Sequence, residues 1–148
     1  MKEKILREKI LREKLVEQKA QEILNEMTEE EAKELAKRCT IRLFYPDLHA
    51  SEVSYPLPQI VFRMDTPEDA SKFLDRWSGV WKSPPSIVEV NKQLLVQAFL
   101  KRMLPYLEIE EKRKADIALE MLEVALNKPQ GWKERLINLG KELQRRQQ

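Results

Sequence analysis

The chain has 148 residues, of which 42% are hydrophobic and 35% are charged, and its formal net charge is +2. This composition excludes intrinsic disorder, and the near-neutral total predicts no general attraction to polyanions. The sequence contains no apolar run of about 20 residues. Residues 1–19 alternate charged and hydrophobic side chains, whereas a signal peptide has an uninterrupted apolar stretch. We therefore expect a soluble, cytoplasmic protein that has no membrane contact.

A five-residue unit is repeated at the start of the sequence. Residues 4–8 and 9–13 both read Lys-Ile-Leu-Arg-Glu, and residues 14–18 repeat the unit loosely as Lys-Leu-Val-Glu-Gln. These residues are good helix formers, so we predict a helix over residues 2–26. Each residue turns a helix by about 100°, so successive Ile-Leu pairs lie roughly 140° apart and apolar side chains emerge on all sides. Such a helix is stable in water only when the rest of the chain or a partner covers several of its faces.

From Val16 onward, the first helix has a single apolar stripe that is typical of packing on a core. Thr28 and Glu31 have the spacing of a capping box, which predicts a second helix that begins there and ends near Cys39. We interpret residues 1–27 as an N-terminal helical arm and residues 28–148 as a single helical domain. Cys39 continues the apolar spacing of the second helix, so we predict a buried thiol. As the single cysteine, it cannot form an internal disulfide.

Two segments in the next part of the chain favour β-strands. Residues 40–45 and 59–64 are rich in β-branched and aromatic side chains, and the first segment also alternates along its length. The stretch between them, residues 46–58, contains three prolines and is too long for a tight hairpin. We predict a small two-stranded antiparallel β element near residues 40–64.

The remaining sequence predicts helices that are separated by breaks containing proline. Thr66 is placed as an N-cap, with Pro67 at the first helical position. Further helices are predicted over residues 86–104 and 109–127 and from Trp132 onward. The helix over residues 86–104 is expected at the centre of the core, because most of its circumference is apolar. The predicted fold class is mainly α with a minor α+β character: a bundle of five to six helices with a small β element.

The sequence offers little for catalysis. Its single histidine, His49, lies near Asp47, Ser51 and Ser54, which suggests a catalytic triad, yet the G-x-S-x-G turn that aims a nucleophilic serine is absent. A polar loop whose side chains bond the neighbouring backbone explains the same residues. One histidine and one cysteine have no recognisable zinc spacing, and the three glycines form no phosphate-binding motif. We therefore predict a non-enzymatic protein without a metal or cofactor.

Protein–protein interaction is the function that the sequence supports most directly. Over residues 1–15 the N-terminal helix carries apolar side chains on every side, and the linker over residues 80–85 places a tryptophan between two helices; a partner can cover both features. Packing within the chain is the alternative for each of them. The predicted partner-binding residues are Ile5, Leu6, Ile10, Leu11, Leu15 and Trp81. We predict an assembly or accessory subunit that binds a protein partner or self-associates into an oligomer.

Nucleic-acid binding is the second function that the sequence supports. Residues 1–19 carry seven basic and four acidic side chains, and residues 128–148 carry six basic and two acidic ones. Basic helices of this kind contact the phosphate backbone of DNA or RNA. The predicted phosphate-contacting residues are Arg7, Arg12, Lys133, Arg135, Lys141, Arg145 and Arg146. An ordinary solvated helix surface, with Lys and Arg beside Glu, is the alternative interpretation.

Overall fold

The computed structural model describes residues 2–44, 57–77, 81–82, 87–90 and 93–146, and it describes the backbone alone for Lys9, Arg12, Phe44 and residues 81–82 and 87–90. The helices are α1 (Lys2–Glu26), α2 (Glu29–Arg38), α3 (Pro67–Arg76), α4 (Gln93–Met103), α5 (Ile109–Asn127) and α6 (Trp132–Arg146). The strands are β1 (Cys39–Phe44), β2 (Leu57–Arg63), β3 (Trp81–Lys82) and β4 (Ile87–Val90). A 3-10 turn over Leu104–Tyr106 follows α4.

The predicted class, mainly helical with a small antiparallel β element, is confirmed. β1 and β2 pair antiparallel, with Cys39 opposite Phe62 and Ile41 opposite Ile60. β4 pairs antiparallel with the other edge of β2, and β3 pairs antiparallel with β4. The strand order is therefore β1-β2-β4-β3, so two short strands extend the predicted pair.

The prediction of one helix over residues 86–104 is wrong for its first turns. β4 takes Ile87–Val90, and α4 begins only at Gln93. Three of the four residues in β4 are β-branched, a composition that favours an extended backbone over a helix. The rest of the predicted helix is confirmed as α4.

α2 and α3 begin at the predicted caps. The Thr28 Oγ1 accepts a hydrogen bond from the Glu31 backbone N–H at 3.1 Å, and the Glu31 Oε1 accepts one from the Thr28 N–H at 3.2 Å, which completes the capping box. The Thr66 Oγ1 accepts from the Asp69 N–H at 3.1 Å, and Pro67 is the first residue of α3. Each cap satisfies backbone donors that the first turn of a helix otherwise leaves unpaired.

α4 lies at the centre of the hydrophobic core, as predicted. The Phe99 ring centroid is 5.7 Å from that of Phe62 on β2, 6.3 Å from that of Phe73 on α3 and 5.9 Å from that of Trp77. The helix is buried on most sides through Leu95, Val96, Ala98, Phe99, Leu100 and Met103. α5 packs on β1 and β2, and α6 packs on α5 and β1. The helices thus cover the face of the sheet that carries the buried Ile41 and Phe62.

Two arginines from distant parts of the sequence hold the junction between α1 and α2. Arg102 of α4 donates a hydrogen bond to the Met27 carbonyl oxygen at 2.6 Å, and Arg76 of α3 donates one to the Glu26 carbonyl oxygen at 3.2 Å. The last turn of α1 has no basic residue of its own. Cations are favourable beside the carbonyls at a helix C-terminus because of the helix dipole. The two arginines therefore fix the direction in which α1 leaves the bundle.

Candidate functional site

Every side chain that the structure describes in the first half of α1 is exposed. From here on, the word arm means residues 2–15 alone, which are the exposed part of the predicted N-terminal helical arm over residues 1–27. Its large apolar side chains are between 43% and 66% exposed, whereas Ala20 and Ile23 in the second half of the same helix are buried. The exposed apolar residues of the arm are Ile5, Leu6, Ile10, Leu11 and Leu15. They are the five arm residues that the sequence predicts to bind a partner.

The length of α4 explains why the arm is uncovered. α1 has 25 residues and α4 has 11, which correspond to about 37 Å and about 16 Å of helix. Arg102, next to the last residue of α4, bonds the carbonyl of Met27 just after α1, so the two helices meet at that end. α4 therefore reaches only to about Val16, which is partly buried, and the arm continues beyond it.

The exposed apolar side chains of the arm are distributed around the helix and form two groups whose centres lie on opposite sides. Ile5 precedes Ile23 by 18 residues, or about five whole turns, so it continues the face that packs on α4, and Leu6 lies beside it. Leu11 precedes Ala20 by nine residues, or about two and a half turns, so it emerges on the opposite side. One neighbouring helix covers only one of these sides. Complete burial of the arm therefore needs two separate contacts.

Trp81, the sixth predicted partner-binding residue, does not belong to the arm. It lies in β3, which pairs with β4 at the end of the sheet, with Trp81 opposite Val90. Its side chain is outside the described part of the structure, so its role stays a prediction.

The basic residues of α6 are interleaved with acidic ones. The Arg135 guanidinium donates to the Glu120 carboxylate of α5 at 2.6 Å, and the Arg146 guanidinium donates to the Glu142 carboxylate at 3.4 Å. The other basic side chains of this helix are exposed: Lys133, Lys141 and Arg145. The carboxylates break this surface into alternating charges, which is typical of a solvated helix.

The predicted phosphate-contacting residues of the arm lie on a different part of the molecule from those of α6. Arg7 is exposed, and the side chain of Arg12 is outside the description. α1 packs on α4, whereas α6 packs on α5 and β1. The seven basic candidates therefore fall on two helices with different packing partners.

The candidate triad around His49 lies outside the described residues, so its geometry stays untested. Within the described ranges, the His, Cys, Asp and Glu side chains form no group of three that is suited to a metal ion. No helix in the described part of the chain is long and apolar enough to cross a bilayer.

Cys39 is buried, as predicted from its spacing. Burial, and then the nearby carboxylate of Glu111, raises the pKa of the Cys39 thiol to about 12, and the ammonium group of Lys114 opposes this shift. The thiolate is the nucleophilic form of cysteine. At neutral pH the protonated thiol is therefore a packing group of the core.

An open groove between α2 and α3 has no counterpart in the sequence predictions. Its volume is about 400 Å³. Apolar side chains form its floor: Leu35, Met64, Phe73 and Trp77. Two arginines stand at its rim, Arg38 with the Glu34 carboxylate at 3.0 Å and Arg76 with the Glu31 carboxylate at 3.1 Å. The positive charges of the rim are thus balanced within the fold.

The sequence gives no signal for this groove, because its residues come from segments that are far apart in the chain. Arg38 and Arg76 are basic residues in the last turn of a helix, a placement that the helix dipole favours anywhere. The stacking of the Arg76 guanidinium on the Trp77 ring, 4.1 Å from its centroid, depends on local geometry that spacing does not encode.

Comparison with known proteins leaves the arm as the main guide to function. No known protein-family model matches the chain, and no curated protein has a significantly similar sequence.

Proposed function

We propose that this protein is a non-enzymatic assembly or accessory subunit that binds protein through the arm. The observation that supports the proposal is the exposure of Ile5, Leu6, Ile10, Leu11 and Leu15 on a helix whose other half is packed in the core. Several large apolar side chains exposed on one helical segment are typical of a protein-binding site. The same proposal places the protein in the cytoplasm, where a lone buried thiol stays reduced.

The strength of such binding can be estimated from the free energy of burying the five side chains and the free-energy cost of association. Burial of a whole leucine or isoleucine side chain contributes about 1.5 to 3 kcal/mol, so covering the exposed parts of the five arm residues contributes roughly 4 to 8 kcal/mol. Association costs about 4 kcal/mol or more in lost translational and rotational freedom. The arm therefore acts as a complete binding surface only when both of its apolar sides are covered.

Light scattering with size-exclusion chromatography tests the proposal on the full chain. In the test variant, the five exposed apolar residues of the arm are replaced by glutamine, which keeps a high helix propensity. The matched control is Leu126→Gln/Ile137→Gln, since these residues of α5 and α6 are 43% and 44% exposed. We expect the natural chain and the control to associate at low and high salt, and the arm variant to be monomeric.

A photo-crosslinking amino acid at position 11 extends the test to partners other than a second copy. The label is introduced into the full chain in its natural cells, and the comparison label stands at position 137. We expect a discrete crosslinked protein product from position 11 alone. Equal masses for the natural chain and the glutamine variant, together with no product from position 11, would contradict the proposal.

Nucleic-acid binding is the alternative function, and the excess of basic side chains on the arm favours it. Salt separates the two functions. Binding to phosphates weakens steeply as ionic strength rises, whereas association of apolar helix surfaces does not. A DNA or RNA complex that dissociates between about 50 and 200 mM salt and is lost in Arg7→Glu would support the alternative.

A further inference from the structure

The charge of α1 is divided along its length. Residues 2–15 carry six basic and three acidic side chains, whereas residues 16–26 carry three acidic and one basic. A helix that is positive at one end and negative at the other complements a copy of itself that runs in the opposite direction. The antiparallel orientation also places opposite ends of the two helix dipoles side by side.

A continuous face for such pairing runs along the side of α1 that points away from α4. Its positions are three or four residues apart, the spacing of a coiled-coil seam: Lys4, Arg7, Leu11, Leu15, Gln18, Glu22 and Asn25. All are exposed except Glu22, which is partly covered because its carboxylate is 3.3 Å from the Lys19 ammonium group. Over the second half of α1, this side forms a shallow polar groove between Lys14 and Glu26.

We infer that α1 pairs with α1 of a second copy of this chain, antiparallel, along this face. The inference rests on the proposed function, because it names the partner for one side of the arm. With the two-fold axis between Lys14 and Leu15, Leu11 and Leu15 of both copies form an apolar centre. Arg7 of each copy then faces Glu22 of the other, and Lys4 faces Asn25. The contact is self-complementary and closes as a two-fold dimer.

The charges favour a second copy over a nucleic acid on this face. Glu22 lies on this face and Glu26 lies one turn further along beside it, and both carboxylates repel phosphates. The other apolar residues of the arm, Ile5, Leu6 and Ile10, lie outside the seam. They are left for a second contact, which agrees with the two apolar sides of the arm.

Charge reversal on the full chain tests the pairing. The variants are Arg7→Glu, Glu22→Lys and the double variant, and their dimer dissociation constants are measured by sedimentation at low salt. We expect each single variant to dimerise roughly tenfold more weakly, because the reversal turns two attractions into two repulsions across the axis. The double variant restores the attractions, so its dissociation constant returns to within about threefold of the natural one.

The matched controls change net charge equally at exposed sites elsewhere. Lys141→Glu on α6 corresponds to Arg7→Glu, and Glu123→Lys on α5 corresponds to Glu22→Lys. Circular dichroism confirms that each variant keeps its helix content. We expect both controls to dimerise as the natural chain does.

Disulfide trapping distinguishes antiparallel from parallel pairing. Lys14 lies beside the two-fold axis, so Lys14→Cys joins two copies on mild oxidation. In the antiparallel pair the two Lys4 positions are 21 residues apart along the seam, or about 32 Å, so Lys4→Cys does not join them. The native Cys39 is buried and does not interfere.

The possible results separate this inference from the proposed function. Dimerisation that depends on the arm but shows no recovery in the double variant, or rapid trapping of Lys4→Cys, overturns the antiparallel pair and leaves the arm as a binding surface. A full chain that is monomeric up to about 1 mM also overturns the pair, while a specific crosslink from position 11 still supports binding to a different protein. If the five-glutamine variant still forms dimers, the inferred antiparallel pair is overturned. If position 11 then also gives no crosslinked product, the proposal that the arm binds protein is overturned as well.

Discussion

The two halves of α1 have the same secondary structure but opposite surroundings. In residues 16–26 the apolar side chains share one stripe, and that stripe packs on α4. In residues 2–15 they follow a five-residue repeat that distributes them around the helix, and they are exposed. Helix formation and burial are therefore encoded separately: good helix formers specify the first, and the spacing of apolar residues opposite a neighbour specifies the second.

The packed half also supports the exposed half. An isolated helix of about 12 to 15 residues is only marginally stable in water, because its first turn is costly to form. The core fixes residues 16–26 in helical conformation, so the arm only has to extend a helix that already exists. Changes in the packed half are therefore expected to weaken the arm, whereas changes in the arm leave the packed half intact.

The largest expected effect on stability comes from replacing one isoleucine by alanine in each half of α1 and comparing the two variants. Ile23→Ala removes a fully buried side chain, and we expect a loss of about 2 to 5 kcal/mol in the free energy of unfolding. Ile5→Ala, on the same face but 66% exposed, is expected to change it by less than about 0.5 kcal/mol. Denaturant unfolding of both variants measures the difference, and similar losses would show that a part of the chain covers the arm.

Thiol reactivity distinguishes the two environments at single positions. In Leu11→Cys, the new thiol on the arm is expected to react at pH 8 roughly a thousandfold faster than Cys39, whose pKa is about 12 in the folded chain. A thiol reagent that is followed by absorbance measures both rates, with unfolded protein as the control. Equal rates would contradict the burial of Cys39.

The same pKa gives a pH dependence of stability. The unfolded chain releases the Cys39 proton near the ordinary value of 9, whereas the folded chain retains it up to about pH 12. The contribution of this thiol to stability is therefore complete below pH 9 and is lost as the pH rises from 9 towards 12, by at most about 1.4 kcal/mol per pH unit. Denaturant unfolding across this range should show less decline in Cys39→Ala.

The hydrogen bond of Arg102 to the carbonyl of Met27, just after α1, is expected to contribute less to stability than the core does. Arg102→Met removes the donor that is 2.6 Å from the Met27 carbonyl oxygen. We expect a loss of about 1 to 3 kcal/mol, because that carbonyl is left without its partner. Lys101→Met, at an exposed neighbouring position, is the control and should change stability little. An Arg102→Met protein as stable as the control would show that water replaces the guanidinium.

The smallest effect is expected at the cap that follows the packed half. Thr28→Ala removes the Oγ1 that accepts from the Glu31 N–H, at an expected cost of about 1 kcal/mol. Thr66→Ala removes the equivalent bond at the start of α3 and should cost about the same. Hydrogen exchange distinguishes the two variants, since only Thr28→Ala is expected to speed exchange near the end of α1.

Local features of the fold were predictable from the sequence, and long-range ones were not. The bounds of α1 and α5 and the caps at Thr28 and Thr66 depend on residues that are close together in the chain, and these predictions are confirmed. The groove between α2 and α3 depends on pairs such as Arg76 with Glu31, which are 45 residues apart. Local spacing contains no information about such pairs.

The missed strand β4 also determines how much of α1 is covered. A helix over residues 86–104, as predicted, spans about 28 Å, enough to cover most of α1. The β-branched residues of β4 instead begin a strand, so α4 starts at Gln93 and is about 16 Å long. The apolar arm was predictable from the sequence. Its exposure depends on where β4 ends and α4 begins, and the β-propensity of residues 87–90 determines that boundary.

The two arginines at the junction have a mechanical consequence. Residues 16–26 of α1 are packed on α4 and end at the two arginines, whereas the arm of 14 residues, about 21 Å long, projects from this packed half. A tilt of about 5° where the packed half ends moves the far end of the arm by about 2 Å, slightly more than the rise of one helical residue. The packing of α1 on α4, together with the two guanidinium groups at its end, therefore sets where a partner bound to the far end of the arm is held relative to the bundle.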